Sequence, residues 1–253
     1  MSRFVLTRLE YDLCWEHLRL GEQPTALAIP GHGKTLEERR ELFHHAWRGL
    51  GERRLTGRGE LDPVLAERLR VLARPEREVD ARLRLDRHGP RTRAMGAAHN
   101  GKAVVAVLTA EELTLDAVEE SGLAGALVGL LPAAPVPRSR SITMPGELLD
   151  RAAAAGVRME QVLREGGLTG QDARQVCAVL GDVVAMGQFG AAHRRDHQGH
   201  PGPRRRASYV VSFYDTPEGR WQFTRRRGWA TLAAADHPRL TSAVTELLAD
   251  STR

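Results

Sequence analysis

Between Val79 and Leu85 the apolar residues stop recurring every three or four positions and begin to alternate strictly, and this switch limits what the chain can fold into. Val79, Ala81, Leu83 and Leu85 interleave with Asp80, Arg82, Arg84 and Asp86, which predicts a half-buried antiparallel strand. Short turns follow, at His88-Gly89-Pro90 and at Asn100-Gly101. Between and after them, Arg91 to His99, Lys102 to Thr109 and Leu113 to Val118 read as further strands. Strands joined by so few residues pair antiparallel, because a parallel pair needs a crossover of about a dozen residues.

Helices precede this meander. Thr7 and Glu10 form a capping box that opens a helix toward Leu20, with Gly21 ending it. Ala26 to Ile29 reads as a short strand. Thr35 and Glu38 form a second capping box, followed by Leu36, Leu42, Phe43, Ala46, Trp47 and Leu50 at helical spacing. Asp62-Pro63 supplies an N-cap and a first-turn proline for a third helix that ends before Pro75. Leu123 to Leu131 closes the first half as a helix.

Pro- and polar-rich residues from Ala133 to Arg140 mark the midpoint. Beyond them helices are expected over about 145–155, 158–165 and 169–186, strands over 206–214, 220–227 and 229–232, and a closing helix over 239–249. This order repeats the first half. Gly101 and Gly219 lie 118 residues apart (219 − 101), and Leu131 and Leu248 lie 117 apart (248 − 131). The expectation is one α+β domain over 1–253, with helices on an antiparallel sheet and two similar halves at about 1–135 and 140–253.

The chain carries 37 basic against 32 acidic residues, a formal charge of +5, and only Lys34 and Lys102 are lysines. The arginines alternate with Asp and Glu all along the chain, so they read as a solvated, GC-biased surface and not as a nucleic-acid footprint. Arg204-Arg205-Arg206 and Arg225-Arg226-Arg227 are the densest runs. Cys14 and Cys177 have apolar neighbours and read as small buried hydrophobes. The N-terminus has no long apolar run, and the longest such stretch, Leu123 to Ala134, is too short to span a bilayer. A soluble cytoplasmic setting is expected, without membrane or nucleic-acid contact.

Two motifs suggest chemistry. Ala28-Ile29-Pro30-Gly31-His32-Gly33-Lys34-Thr35 ends like a phosphate-binding loop, and the alternative reading is a nucleotide hydrolase using Gly33, Lys34 and Thr35. Against it, position 28 is Ala where the pattern has Gly, Thr35 already serves as an N-cap, and the chain shows hairpins in place of parallel crossovers. Asp215, the acidic candidate for such a site, falls in an expected turn. His193, Asp196, His197 and His200 have spacing that could hold zinc, but they sit in a polar hairpin without cysteines. No catalytic residue, metal or cofactor is assigned. Trp15, Trp47, Trp221 and Trp229 all read as core.

Several stretches, in order along nearly the whole chain, resemble the EspG family of ESX (type VII) secretion-associated proteins. They are Phe4 to Thr7 with Glu10, running on through Leu20-Gly21, Pro24, Leu27, Ile29 and Pro30 to Gly33, Thr35, Glu38 and Arg39; Leu72 to Pro75; Gly187 to Gly190; and Arg205 to Pro217 with Gly219-Arg220-Trp221. The resemblance implies two quasi-symmetric halves around a central antiparallel β-sheet flanked by helical bundles. It implies a non-catalytic chaperone that binds PE–PPE heterodimers at the tip of the PPE partner. In the family the contacts come from the loop after the second strand and from the C-terminal helical bundle. Here the loop matches Arg87, His88 and Arg91, with Arg93 beside it, and the apolar contacts would fall to Val162, Leu163 and Phe189, next to Gln188. Homodimer formation is left open.

Overall fold

A computed structural model describes residues 3–194, 196–197 and 200–252. In chain order the strands and α-helices are β1 Phe4–Thr7, α1 Arg8–His17, α2 Leu36–Glu52, β2 Thr56–Gly57, β3 Glu60–Leu61, α3 Pro63–Ala73, β4 Arg77–Arg84, β5 Arg91–His99, β6 Lys102–Leu108, β7 Glu112–Val118 and α4 Leu123–Val128. Then come β8 Ile142–Pro145, α5 Gly146–Ala154, α6 Met159–Glu165, α7 Gly170–Gly181, β9 Ala185–His193, β10 Asp196–His197, β11 His200–Pro201, β12 Arg205–Arg206, β13 Val211–Thr216, β14 Gly219–Arg226, β15 Trp229–Ala234 and α8 His237–Ser251. Helices packed on antiparallel sheet make this an α+β fold, as the alternation and the short turns require.

The chain forms two compact units. One holds the residues up to Ala81, Arg91–Leu127 and His193–Arg204; the other holds Arg82–Pro90, Val128–Ala192 and the residues from Arg205 on. The first unit's strands run in the order β1-β7-β6-β5-β4, and the second's in the order β4-β9-β13-β14-β15-β8, so β4 and β9 contribute to both.

In the first unit, helices α1 to α3 bury Tyr11, Trp15, Leu50, Leu65, Leu69 and Leu72 against Leu6, Val104, Leu108 and Leu113. The opposite face is closed at Gly96, where a Cβ would come within 3.0 Å of Leu123 and 3.3 Å of Leu127. The first capping box forms, with Thr7 Oγ1 accepting from Glu10 N at 3.2 Å while Glu10 accepts from Thr7 N at 2.8 Å; the second forms only in part, since Thr35 Oγ1 accepts from Glu38 N at 3.1 Å but the Glu38 carboxylate accepts from Lys34 N in place of Thr35 N. Asp62 accepts from Val64 N and Leu65 N at 2.9 Å each, starting α3. Burial pushes the Cys14 thiol up to about 12, so it behaves as a packed hydrophobe.

In the second unit, α5, α6 and α7 cover one face of the sheet, packing Leu148, Ala152, Leu163, Val176 and Val179 on Ile142, Met144, Trp221 and Leu232. On the other face lie Phe189 and Phe213, whose rings are 6.2 Å apart, and α8 buries Leu240, Val244, Leu247 and Leu248. An edge strand precedes the first helix of each group. β1 pairs with β7 through Phe4 and Leu115, and β8 pairs with β15 through Ile142 and Leu232.

Several expectations are corrected. Ala26 to Ile29 is turn and irregular chain, with Leu27 N donating to Pro24 O at 2.8 Å and Ile29 N to the Gln23 side chain at 2.9 Å; it pairs with no strand among the described residues. The helix expected over 169–186 stops at Gly181, and Ala185–His193 is a strand. Its Gly187 packs so closely that a Cβ would lie 2.7 Å from Phe213. β4 is not half-buried throughout: Glu78 and Asp80 are buried as well, and Arg204 pairs with Glu78. Asp215 lies inside β13, buried against Arg220, and not in a turn. Trp15 and Trp221 are core and Trp47 is half-buried, but Trp229 is exposed. His193 ends β9 and is buried, whereas the side chains of Asp196, His197 and His200 lie outside the described residues.

The Gly-Lys-Thr loop is not a phosphate site. It follows a turn, and its backbone is already engaged. His32 N donates to Asp12 at 3.0 Å, Arg39 donates to His32 O at 2.6 Å, and Lys34 N donates to Glu38 at 2.7 Å. Gly33 has φ +86, and a Cβ there would come within 2.7 Å of the Arg39 backbone. The loop therefore wraps an ion pair, and the helix N-terminus holds the carboxylate of Glu38.

Arg220 is 1% exposed, donates twice to Asp215 at 2.7 Å and once to Pro132 O at 2.8 Å. Arg220→Leu leaves a buried carboxylate unpaired and is expected to cost about 3–5 kcal/mol, read from the urea midpoint, with most of it recovered in Arg220→Leu/Asp215→Leu. Thr35→Ala should lose about 1 kcal/mol as a lost cap. Lys34→Ala should stay within about 0.5 kcal/mol of the parent. A Lys34-dependent nucleotide affinity in equilibrium dialysis would contradict this reading of the loop.

Candidate functional site

The loop between β4 and β5 is held in a fixed shape by its own sequence. Asp86 Oδ1 accepts from His88 N at 2.8 Å and from Gly89 N at 3.0 Å, an Asx turn that needs no partner outside the loop. Arg87 Nε reaches back to Val183 O at 3.3 Å, just past the end of α7. Arg87 and His88 are exposed. Beside them in the same unit, Arg84 donates to Met186 Sδ at 3.0 Å, and Arg82 and Gln188 are exposed. Alternation along β9 explains the last: Gln188 faces out because Gly187 and Phe189 face in.

The second element is the α5–α7 bundle. Gly156, with φ +56, lets the chain reverse after α5 and leaves Val157 fully exposed at the turn, 103% by side-chain area. An open cleft of about 760 Å³ follows, lined by Val157, Glu160, Gln161, Arg164 and Leu168 among others. Its charges nearly cancel, with Arg158 and Arg164 against Glu160 and Glu165. Arg174 lies 4.0 Å from Glu160. Loop and cleft stand at opposite ends of α7, whose 12 residues span about 18 Å.

The expected contact residues divide accordingly. Arg87, His88 and Gln188 share one surface of the second unit. Val162 is half-buried against the bundle core. Leu163 and Phe189 are both 0% exposed and serve as packing, each on a different face of the sheet, so neither offers a surface. Arg91 and Arg93 belong to the first unit; Arg91 is exposed, and Arg93 donates to Ala28 O at 2.8 Å. Val157 was missed, although it left a sequence signal: an apolar residue directly after a glycine, off the stripe of either flanking helix.

The first unit has its own open cleft of about 600 Å³, lined by Asp12, Trp15, Glu16, Leu20 and Ile29 among others. Burial pushes the Asp12 carboxyl up, but bonds from Arg39 and His32 outweigh it and hold the carboxyl below its usual range. That contribution to stability is present above the ordinary carboxylate pKa and is lost as pH falls through the lowered one. Among the described residues no group of His, Cys, Asp or Glu is placed to hold a metal ion, and no helix is long and apolar enough to cross a membrane. Both clefts are open, but only that of the second unit is charge-balanced; the first unit's sets Asp12, Glu16 and Glu22 against Arg19 and has several apolar residues, Trp15, Leu20 and Ile29 among them.

No curated protein sequence matches the chain. Among solved structures, it matches the Mycobacterium tuberculosis type VII secretion system chaperone EspG5, solved in complex with a PE25-PPE41 dimer. The TM-score is 0.80 and the identity 18%, covering 98% of this chain and 96% of that one. At that identity the match establishes a shared fold. The EspG family model matches residues 7–246, nearly the full length, and the chain belongs to the EspG family.

Proposed function

We propose that this chain is a cytoplasmic chaperone of a type VII (ESX) secretion system that binds a PE–PPE-type heterodimer, keeps it soluble and carries no catalytic activity. The observation behind this reading is family membership over residues 7–246, joined to a fold shared end to end with a chaperone solved on such a dimer. The whole chain acts as one family domain built from two copies of one plan, the strand partners Leu115 and Leu232 being equivalent positions 117 residues apart (232 − 115).

The second unit supplies the contact surface. Val157 is the apolar anchor, standing free at the end of the cleft. Glu160, Gln161 and Arg164 offer polar groups of both signs around it. Arg87 and His88 meet the partner from the other end of α7. A helical-hairpin substrate with an apolar tip self-associates in water, and covering about 800 Å² of it suffices for a specific complex. The short, internally bonded loop loses little entropy on binding.

Co-expression with a PE–PPE pair should give a ternary complex that co-purifies and is indifferent to Lys34→Ala. Val157→Asp and Arg87→Glu should each weaken the complex by about tenfold or more in titration calorimetry, with unchanged melting temperatures. A chain that leaves the heterodimer aggregated and unbound would overturn the proposal. Full affinity in both variants would move the contact away from this surface.

A further inference from the structure

The second unit's sheet has a face that its own helices cover only in part. The rows of paired residues show where cover ends. One row runs Phe189, Val211, Thr224, Thr231, Thr143 across β9, β13, β14, β15 and β8. Phe189 and Val211 are buried, Thr224 and Thr231 half-buried, and Thr143 exposed. The row before it changes in the same way, from buried Phe213 to Gln222 and Ala233. Threonine keeps the β-propensity of a branched side chain while tolerating water. Thr143 and Thr231 join hydroxyls at 3.1 Å. The outer three strands therefore carry a largely polar, partly exposed floor.

Trp229 breaks that pattern. It is 53% exposed, in the row Arg226, Trp229, Pro145. Its position is fixed by a two-residue turn with Arg227 at φ 50 and Gly228 at φ 80, and Gly146 N donates to Gly228 O at 2.7 Å. A rigid, exposed tryptophan is costly to leave in water and characteristic of binding hot spots. Three arginines precede it, the first two of them paired, Arg225 with Asp150 and Arg226 with Asp250. Arg226 lies 4.8 Å over the Tyr209 ring and binds Asp250 at 2.6 Å, and Tyr209 also donates to Asp250, at 3.0 Å. Asp250 is thus already shared. Arg227 is exposed and binds no acid among the described residues; Arg205, four residues before Tyr209, is likewise exposed and without one.

We propose that this face docks an acidic, extended segment of a partner protein, with an apolar side chain on Trp229 and a carboxylate on Arg227. It is the sheet face opposite the one packed under α5–α7, since Trp221, Leu232 and Ile142 point to the bundle while Thr224, Thr231 and Thr143 point away. Cargo on the bundle and a second protein on this floor do not compete for surface.

The test uses the full chain and fluorescently labelled synthetic peptides, one alternating Glu with Leu and one alternating Lys with Leu, read by polarisation. The acidic peptide should bind saturably and lose affinity with salt. Trp229→Ala and Arg227→Glu should each weaken it by about tenfold. Val157→Asp, on the other face, should leave it unchanged. Equal binding of the Lys peptide, or unchanged affinity in both face variants, would overturn the proposal. So would concentration-dependent self-association abolished by Trp229→Ala, or preferential binding of phosphatidylserine vesicles, since either assigns the face a different occupant.

Discussion

The second unit is organised around one buried ion pair. Arg220 and Asp215 sit on adjacent strands of the β13–β14 hairpin and bind in the planar, two-pronged geometry that repays desolvation best. Arg220 also caps Pro132 O, lies 5.3 Å from the Phe213 ring, and donates its backbone N–H to Pro135 O. The midpoint segment is thereby strapped across the hairpin. Gly219 permits this because any Cβ there would collide with the Pro135 carbonyl. The pair thus ties the strap to the hairpin that carries Trp221.

That rigidity suits a protein that works by contact. Some exposed arginines near the surfaces described above are tied to a neighbouring acid, as Arg225 is to Asp150 and Arg226 to Asp250. A charge already held in place can meet a partner without ordering cost, though each exposed pair adds little to stability on its own. The unpaired features then stand out: Val157 on the bundle side, and Trp229 with Arg227 on the other. A scaffold with two separate faces can hold cargo and still present a second surface.

Local chemistry was legible along most of the chain. The capping box at Thr7, the N-cap at Thr35, the Asp62-Pro63 helix start and the Asn100-Gly101 hairpin all lie where their residues demand, because each is decided by groups within four positions of one another. The misreadings share a cause. Ala185 and Met186 look like the end of a helix until β13 is placed beside them, and Ala26–Ile29 looks like a strand until the structure shows no ladder with another strand. Strand identity depends on a partner, and here β9 finds its partner beyond an intervening segment of its own chain.

By itself, the sequence determined the α+β class, the antiparallel pairing, the helix starts and the family, since these rest on short-range periodicity, capping and turn geometry. Only the tertiary structure decided which side chains face water. Leu163 and Phe189 share the apolar character of Val157 and Trp229, yet the first two are enclosed and the last two are not. Exposure is set by where distant elements such as α7 and α8 end over the sheet, and no local pattern of residues encodes where that cover stops.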